Sequence, residues 1–163
     1  MKNLILIRHS KSSWDTPVQD IDRSISARGI KDAHLIASKS VDIVPKSYIV
    51  WSSKAKRTTE TAYMFSQYLS IPLETIHFTA DLYTFDDKKL HQIIKKCKNE
   101  HDSLILFGHN EAITNFVNKF GDLYIDNVPT SGLVALQFDS DDWENLSKGK
   151  TITTLFPSQF KND

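Results

Sequence analysis

The chain has 163 residues, 40% apolar and 25% charged, with a formal net charge of zero; it can bury one core unaided, and the balance gives no global attraction to nucleic acid or a membrane. Residues 1–60 nevertheless hold 11 lysines and arginines against 6 aspartates and glutamates, and the remainder 9 against 14, so the first part is electropositive toward an anion. The single cysteine, Cys97, excludes an intramolecular disulfide, and the apolar run Leu4–Ile7 after Met1-Lys2-Asn3 is too short for a signal peptide or membrane span. One domain over residues 1–163, cytoplasmic and monomeric, is the expectation.

Leu4 to Ile7 has the pattern of a buried strand, followed by a polar loop with Trp14 and Pro17. Ser26 is placed to cap a helix running to about Ser40, with Ile30, Ala33 and Ala37 on one face. Tyr48 to Trp51 forms a second strand that ends at Ser52-Ser53, and a helix follows at once with Ala55, Thr59, Ala62, Phe65 and Leu69 inward. Thr75 to Phe78 predicts a short strand, and Leu90, Ile93, Ile94 and Cys97 stripe a further helix. Ser103 to Phe107 is a strand running into Gly108-His109-Asn110, and Ile113, Phe116, Val117 and Phe120 mark the next helix. A turn at Pro129–Gly132 leads to a strand over Leu133–Phe138, an acidic loop or hairpin covers 139–149, and Thr151 to Phe156 predicts an edge strand. Alternating strands and helices favour a three-layer α/β/α sandwich on a mostly parallel sheet.

Three strands deliver polar residues at their C-terminal ends: Arg8-His9-Ser10, Ser52-Ser53 with Arg57 one turn into the helix, and Gly108-His109-Asn110. Ligands of open α/β sheets bind beyond those ends, so adjacent strands would bring two arginines and two histidines to one crevice. A helix beginning near Ser53 would add N–H donors and a positive dipole end. Arginine matches phosphate oxygens with a rigid fork of donors, and a neutral imidazole is a competent nucleophile toward phosphorus. His9 is the candidate nucleophile, with Arg8, Arg57 and His109 as phosphate contacts. Arg57 has a blander alternative, a surface pair with Glu60 or Glu111. The remaining histidines, His34, His77, His91 and His101, fall on helix faces or loops. No metal-ligating motif accompanies them, so neither a metal nor another cofactor is expected.

The string from Arg8-His9 through Ser52-Ser53-x-x-x-Arg57-Thr58-x-x-Thr61 to Gly108-His109 resembles, in order, the motifs of the histidine phosphatase superfamily, the phosphoglycerate-mutase-like enzymes. Arg8-His9-Ser10-Lys11-Ser12-Ser13-Trp14, with Asp22-Arg23 and Ser26-x-Arg28-Gly29, is similar to the small SixA-type phosphohistidine phosphatases. The resemblance implies a phosphohistidine intermediate on His9, no metal, and a phosphorylated substrate, foremost a phosphohistidine-bearing protein. Ser10 departs from the usual glycine after the nucleophile. Asp81 stands about where larger members carry an acidic proton donor, and a turn cap is its other reading. Two rivals remain: a small-metabolite phosphatase or mutase-like enzyme, and a catalytically silent phosphate-binding module.

Overall fold

The computed structural model describes residues 1–161. Six strands, β1 (Lys2–Arg8), β2 (Ile49–Ser53), β3 (Ile76–Thr79), β4 (Ser103–Gly108), β5 (Leu133–Phe138) and β6 (Lys150–Leu155), form one sheet in the order β3-β2-β4-β1-β5-β6. The β3–β2, β2–β4 and β4–β1 pairs are parallel, whereas β5 runs antiparallel to both β1 and β6. The mostly parallel sandwich expected from the sequence is thus observed, with the reversed strand β5 beside β1.

Side chains alternate across the sheet, so its two faces bury different residues. Ile5, Ile7, Ile105, Phe107 and Leu133 face one core with Ile36, Ala37, Ala62 and Phe65 of α1 (Ala27–Ser40) and α2 (Lys56–Leu69). Leu4, Leu6, Leu104, Leu106 and Val134 face the other with residues of α3 (Asp87–Ile94) and α4 (Ala112–Phe120). In the first core Phe65 meets Phe107 edge to face at 5.3 Å; burying each such ring contributes roughly 1.5–3 kcal/mol.

Ser26 caps α1 as expected, its hydroxyl accepting from the Gly29 N–H at 3.1 Å. Gly29 is required there: a Cβ would lie 2.2 Å from the Lys11 carbonyl oxygen, so α1 packs directly on the backbone that follows His9. Some details differ from the sequence reading. Ile30 is exposed, because Ile36 and Gly29 take the inner stripe with Ala33 and Ala37. Helix α3 ends at Ile94, so Cys97 reaches the core from beyond the helix. The second strand starts at Ile49 rather than Tyr48 and includes Ser52 and Ser53, and the short third strand spans Ile76–Thr79. The acidic loop after β5 is held by Trp143, which is fully buried and donates its ring N–H to the His101 carbonyl at 2.6 Å.

Candidate active site

Strand register decides what meets at the sheet edge. Arg8 pairs with Gly108 and Ser52 with Phe107, so His9 and His109 leave adjacent strands at one level, with Ser53, the last residue of β2, one step before them. The His9 and His109 rings are 5.2 Å apart between centroids. His9 is 7% exposed, His109 1% and Arg57 3%.

His9 is held in one tautomer. Its Nδ1–H donates to the Ser10 carbonyl at 2.8 Å, which leaves a lone pair on Nε2. Arg57 Nε lies 3.4 Å from that Nε2. Burial pushes the His9 pKa down to about 3, opposed by the Ser10 carbonyl and aided by the nearby Arg57, Arg8 and Arg23 charges. The imidazole is neutral near pH 7. Ser10, though not glycine, is accommodated: its N–H donates to Thr61 Oγ1 at 2.9 Å and its hydroxyl meets that of Ser131 at 2.6 Å. Ser131 adopts a left-handed backbone (φ 64°), and the turn it shapes returns its N–H to the His9 carbonyl at 3.1 Å.

His109 is fixed through its other nitrogen. Its Nε2 lies 2.8 Å from Ser53 Oγ and 3.3 Å from Thr58 Oγ1. Ser53 Oγ already accepts the Ala55 N–H at 3.1 Å, so its own proton is free to donate to Nε2. With that proton given to Nε2 the ring proton sits on Nδ1, the other nitrogen, which is buried without a hydrogen-bond partner. Burial, then His9 and Arg57, lower the His109 pKa to about 2. The Ala55 N–H at the start of α2 is therefore engaged by Ser53, and α2 itself begins at Lys56.

The Arg57 guanidinium does not pair with Glu60 or Glu111. It donates to the Asp20 backbone oxygen at 2.7 Å and to Asp20 Oδ2 at 3.0 Å. Glu60 instead accepts the Ile25 N–H at 2.9 Å, and Glu111 acts on Arg8, raising its pKa against the effect of burial. Tyr83 donates its hydroxyl to the same Asp20 oxygen. Those two partners outweigh desolvation and hold the Asp20 carboxyl below its ordinary range. Arg8 donates to the Val128 carbonyl at 2.9 Å, while its Nε is buried without a partner.

Three residues of this cluster carried no site role in the sequence reading: Asp20, Arg23 and Tyr83. Arg23 is buried, donates to Ser12 Oγ, stands 3.8 Å from Asp20 Oδ1, and lies with its Cζ 3.4 Å from the centre of the Trp14 ring. Its Nε is also buried and unpartnered. The pairing Asp22-Arg23 in the motif was the one local signal for it; nothing local marked Asp20 or Tyr83. Asp81 is not brought into the cluster. It is exposed in a turn capped by Thr79 and borders a shallow depression with Lys89, Gln92, Ile93, Lys95 and Lys96. The cap of this turn is Thr79, whose Oγ1 accepts the Asp81 N–H at 3.2 Å.

Buried polar atoms normally have partners, so the unpartnered Arg8 Nε, Arg23 Nε and His109 Nδ1 beside one neutral imidazole mark a site for a ligand rich in acceptors. Three guanidiniums, against Asp20 at Arg57 and Arg23 and Glu111 at Arg8, leave the site electropositive: the arrangement defines an oxyanion-binding α/β protein. No group of three or more candidate metal ligands occurs among the described residues.

Comparison with known proteins agrees with this class. Residues 4–82 match the model of the Histidine phosphatase superfamily (branch 1). The chain is 29% identical over 154 residues to an uncharacterized chloroplastic protein of Arabidopsis thaliana, covering 88% of this chain and 69% of that one. Its fold superposes on the protein histidine phosphatase SixA, solved with tungstate, at a TM-score of 0.82 and 17% identity, covering 98% and 99% of the two chains. It also superposes on a mycobacterial glucosyl-3-phosphoglycerate phosphatase, at 0.71 and 12% identity over 94% and 98%. The N-terminal part of the chain, with its motif, thus matches the histidine phosphatase superfamily model, and the fold throughout is that of the SixA structure.

Proposed function

We propose that the protein hydrolyses phosphohistidine on a protein, through a covalent phosphohistidine intermediate on His9. The observation that carries this reading is the His9 tautomer: with Nδ1–H bound to the Ser10 carbonyl, the Nε2 lone pair faces the arginine cluster. Nε2 attacks phosphorus in line as the bond to the substrate imidazole breaks. Arg8, Arg57, Arg23 and the His109 Nδ1–H donate to the three equatorial oxygens. Water then attacks phospho-His9, releasing inorganic phosphate and returning the neutral imidazole.

The acids around the site support a phosphohistidine substrate over an alkyl phosphate. Asp20 is held ionised by Tyr83 and Arg57, and Asp81 is turned to the α3 side. An alkoxide leaving group needs a proton donor, whereas an imidazole can leave carrying its own proton. The likeness to SixA in fold is consistent with this; the likeness to a sugar-phosphate phosphatase keeps metabolites as the rival substrate class.

The test is a turnover profile across histidine-phosphorylated protein, phosphoserine peptide and sugar phosphates, with alkaline quenching to trap the intermediate. The expected result is preference for phosphohistidine and an acid-labile phosphate on the peptide that carries His9. Preference for a sugar phosphate would overturn the substrate assignment, and a labelled peptide without His9 the mechanism.

A further inference from the structure

The mouth of the site is bordered by exposed rings that the chemistry does not need. Trp14 is 78% exposed and Phe85 49%. Single exposed aromatics are ordinary on a protein surface, but these two are tied to the buried cluster. Trp14 lies against the Arg23 guanidinium, and Phe85 sits 5.5 Å from both His109 and Tyr83. Arg23 reaches Asp20 at 3.8 Å and Tyr83 bonds the same carboxylate, so a continuous chain of contacts runs from one ring to the other around the mouth.

Beside Trp14 lies a cavity of about 350 Å³ bordered by Val18, Ile25, Arg23 and Lys56, with Asp15 and Asp22 on its rim. Lys56 itself is exposed, as are Lys54 before it and Lys11 two residues after His9. All three amines belong to the segments that leave the C-terminal ends of β1 and β2, the same edge that carries the site. Because His9, Arg57 and His109 are buried, a phosphorylated side chain must descend to them. The surface that bears it then comes to rest on this border.

Rigid aromatic anchors beside a notch that Arg23 and Lys56 share with Asp15 and Asp22, with Lys11 and Lys54 exposed on the same edge, form the kind of surface that concentrates binding energy and steers an acidic partner. We propose that Trp14, Phe85 and the surrounding lysines Lys11, Lys54 and Lys56 form a docking face for an acidic protein surface with the phosphorylated histidine at its centre. This rests on the function proposed above, and adds that the protein recognises the carrier as well as the phosphoryl group.

The experiment compares two substrates with the same leaving group: free phosphohistidine, and an acidic helical protein phosphorylated on one surface histidine with phosphoramidate. Each is tested with wild type, Phe85→Ala, Trp14→Ala and the Lys54→Glu/Lys56→Glu pair. The expected result is that each variant loses about tenfold more kcat/KM on the phosphoprotein than on the free amino acid, mostly through KM. The wild-type rate on the phosphoprotein should also fall more steeply with salt. Equal losses on both substrates, or none on either, would overturn the docking face and leave the hydrolytic site standing. Wild type inactive on both, yet active on a sugar phosphate, would overturn the function and the face together.

Discussion

The Ser53 hydroxyl stands 2.8 Å from His109 Nε2 while its oxygen accepts the Ala55 N–H, and a Ser53 proton given to Nε2 leaves the ring proton on Nδ1. A serine at the end of one strand thereby aims the Nδ1–H of a histidine at the end of its neighbour. Ser53→Ala leaves Nε2 without its main donor, with Thr58 Oγ1 at 3.3 Å the remaining partner. Nitrogen-15 NMR of the variant should show His109 shifting toward a mixture of tautomers. Its kcat should fall about tenfold, as expected for roughly 1–3 kcal/mol at a buried polar group. An unchanged tautomer with unchanged kcat would show that Thr58 holds the ring alone.

Removal of the His9 imidazole should abolish turnover without unfolding the chain, because His109 directs its remaining nitrogen to Ser53 and cannot take over the attack. Turnover and circular dichroism of His9→Ala check this, and a folded variant that retains substantial activity would refute the covalent route.

Arg57→Ala should slow turnover about a hundred- to thousandfold, the range for loss of one donor to developing charge. Arg57→Lys should recover only part of it. Lysine keeps the charge but cannot address Asp20 with two nitrogens while directing a third toward His9. Comparable kcat in all three proteins would remove Arg57 from the site.

Both site histidines have depressed pKa values, about 3 for His9 and about 2 for His109, against an ordinary value near 6.5. Their ring resonances should therefore stay at neutral positions from pH 8 to pH 5. The same shifts govern stability. Between pH 6.5 and the folded values the unfolded chain binds more protons than the folded one, so stability is full above 6.5 and declines as pH falls below it. Urea denaturation at pH 7.5 and 5 should show that decline, and the His9→Asn/His109→Asn protein should show less of it. Titration of either ring near pH 6.5 would mean the site is far wetter than this packing implies.

Asp81→Asn should change kcat/KM on phosphohistidine by less than about twofold, the usual consequence of altering an exposed surface residue. A loss of a hundredfold would bring Asp81 to the leaving group and favour an alkyl phosphate as the substrate.

The sequence by itself determined the strands, most of the helices and the residues at three strand ends, because those signals are local. An apolar run such as Leu104–Phe107, stopped by Gly108, announces a buried strand and its end without knowledge of any neighbour. Arg8, His9 and His109 sit immediately at such ends and Arg57 one turn beyond, so their identity was legible. What only the tertiary structure decided is who stands beside them. The strand order places β4 between β1 and β2, and that register sets the two imidazoles 5.2 Å apart. Asp20 reaches Arg57 across 37 positions and Tyr83 reaches Asp20 across 63; both come from irregular segments with no periodicity to read. Glu60 and Glu111, the acids the sequence offered for Arg57, go elsewhere, since side-chain pairing depends on where a loop is carried and not on distance along the chain. Asp81 stood at a suitable place in the order of motifs, but the turn capped by Thr79 carries it to the α3 side of the sheet. Order along a chain constrains the strands through hydrogen-bonded register; it leaves a side chain on a connecting turn free to face either way.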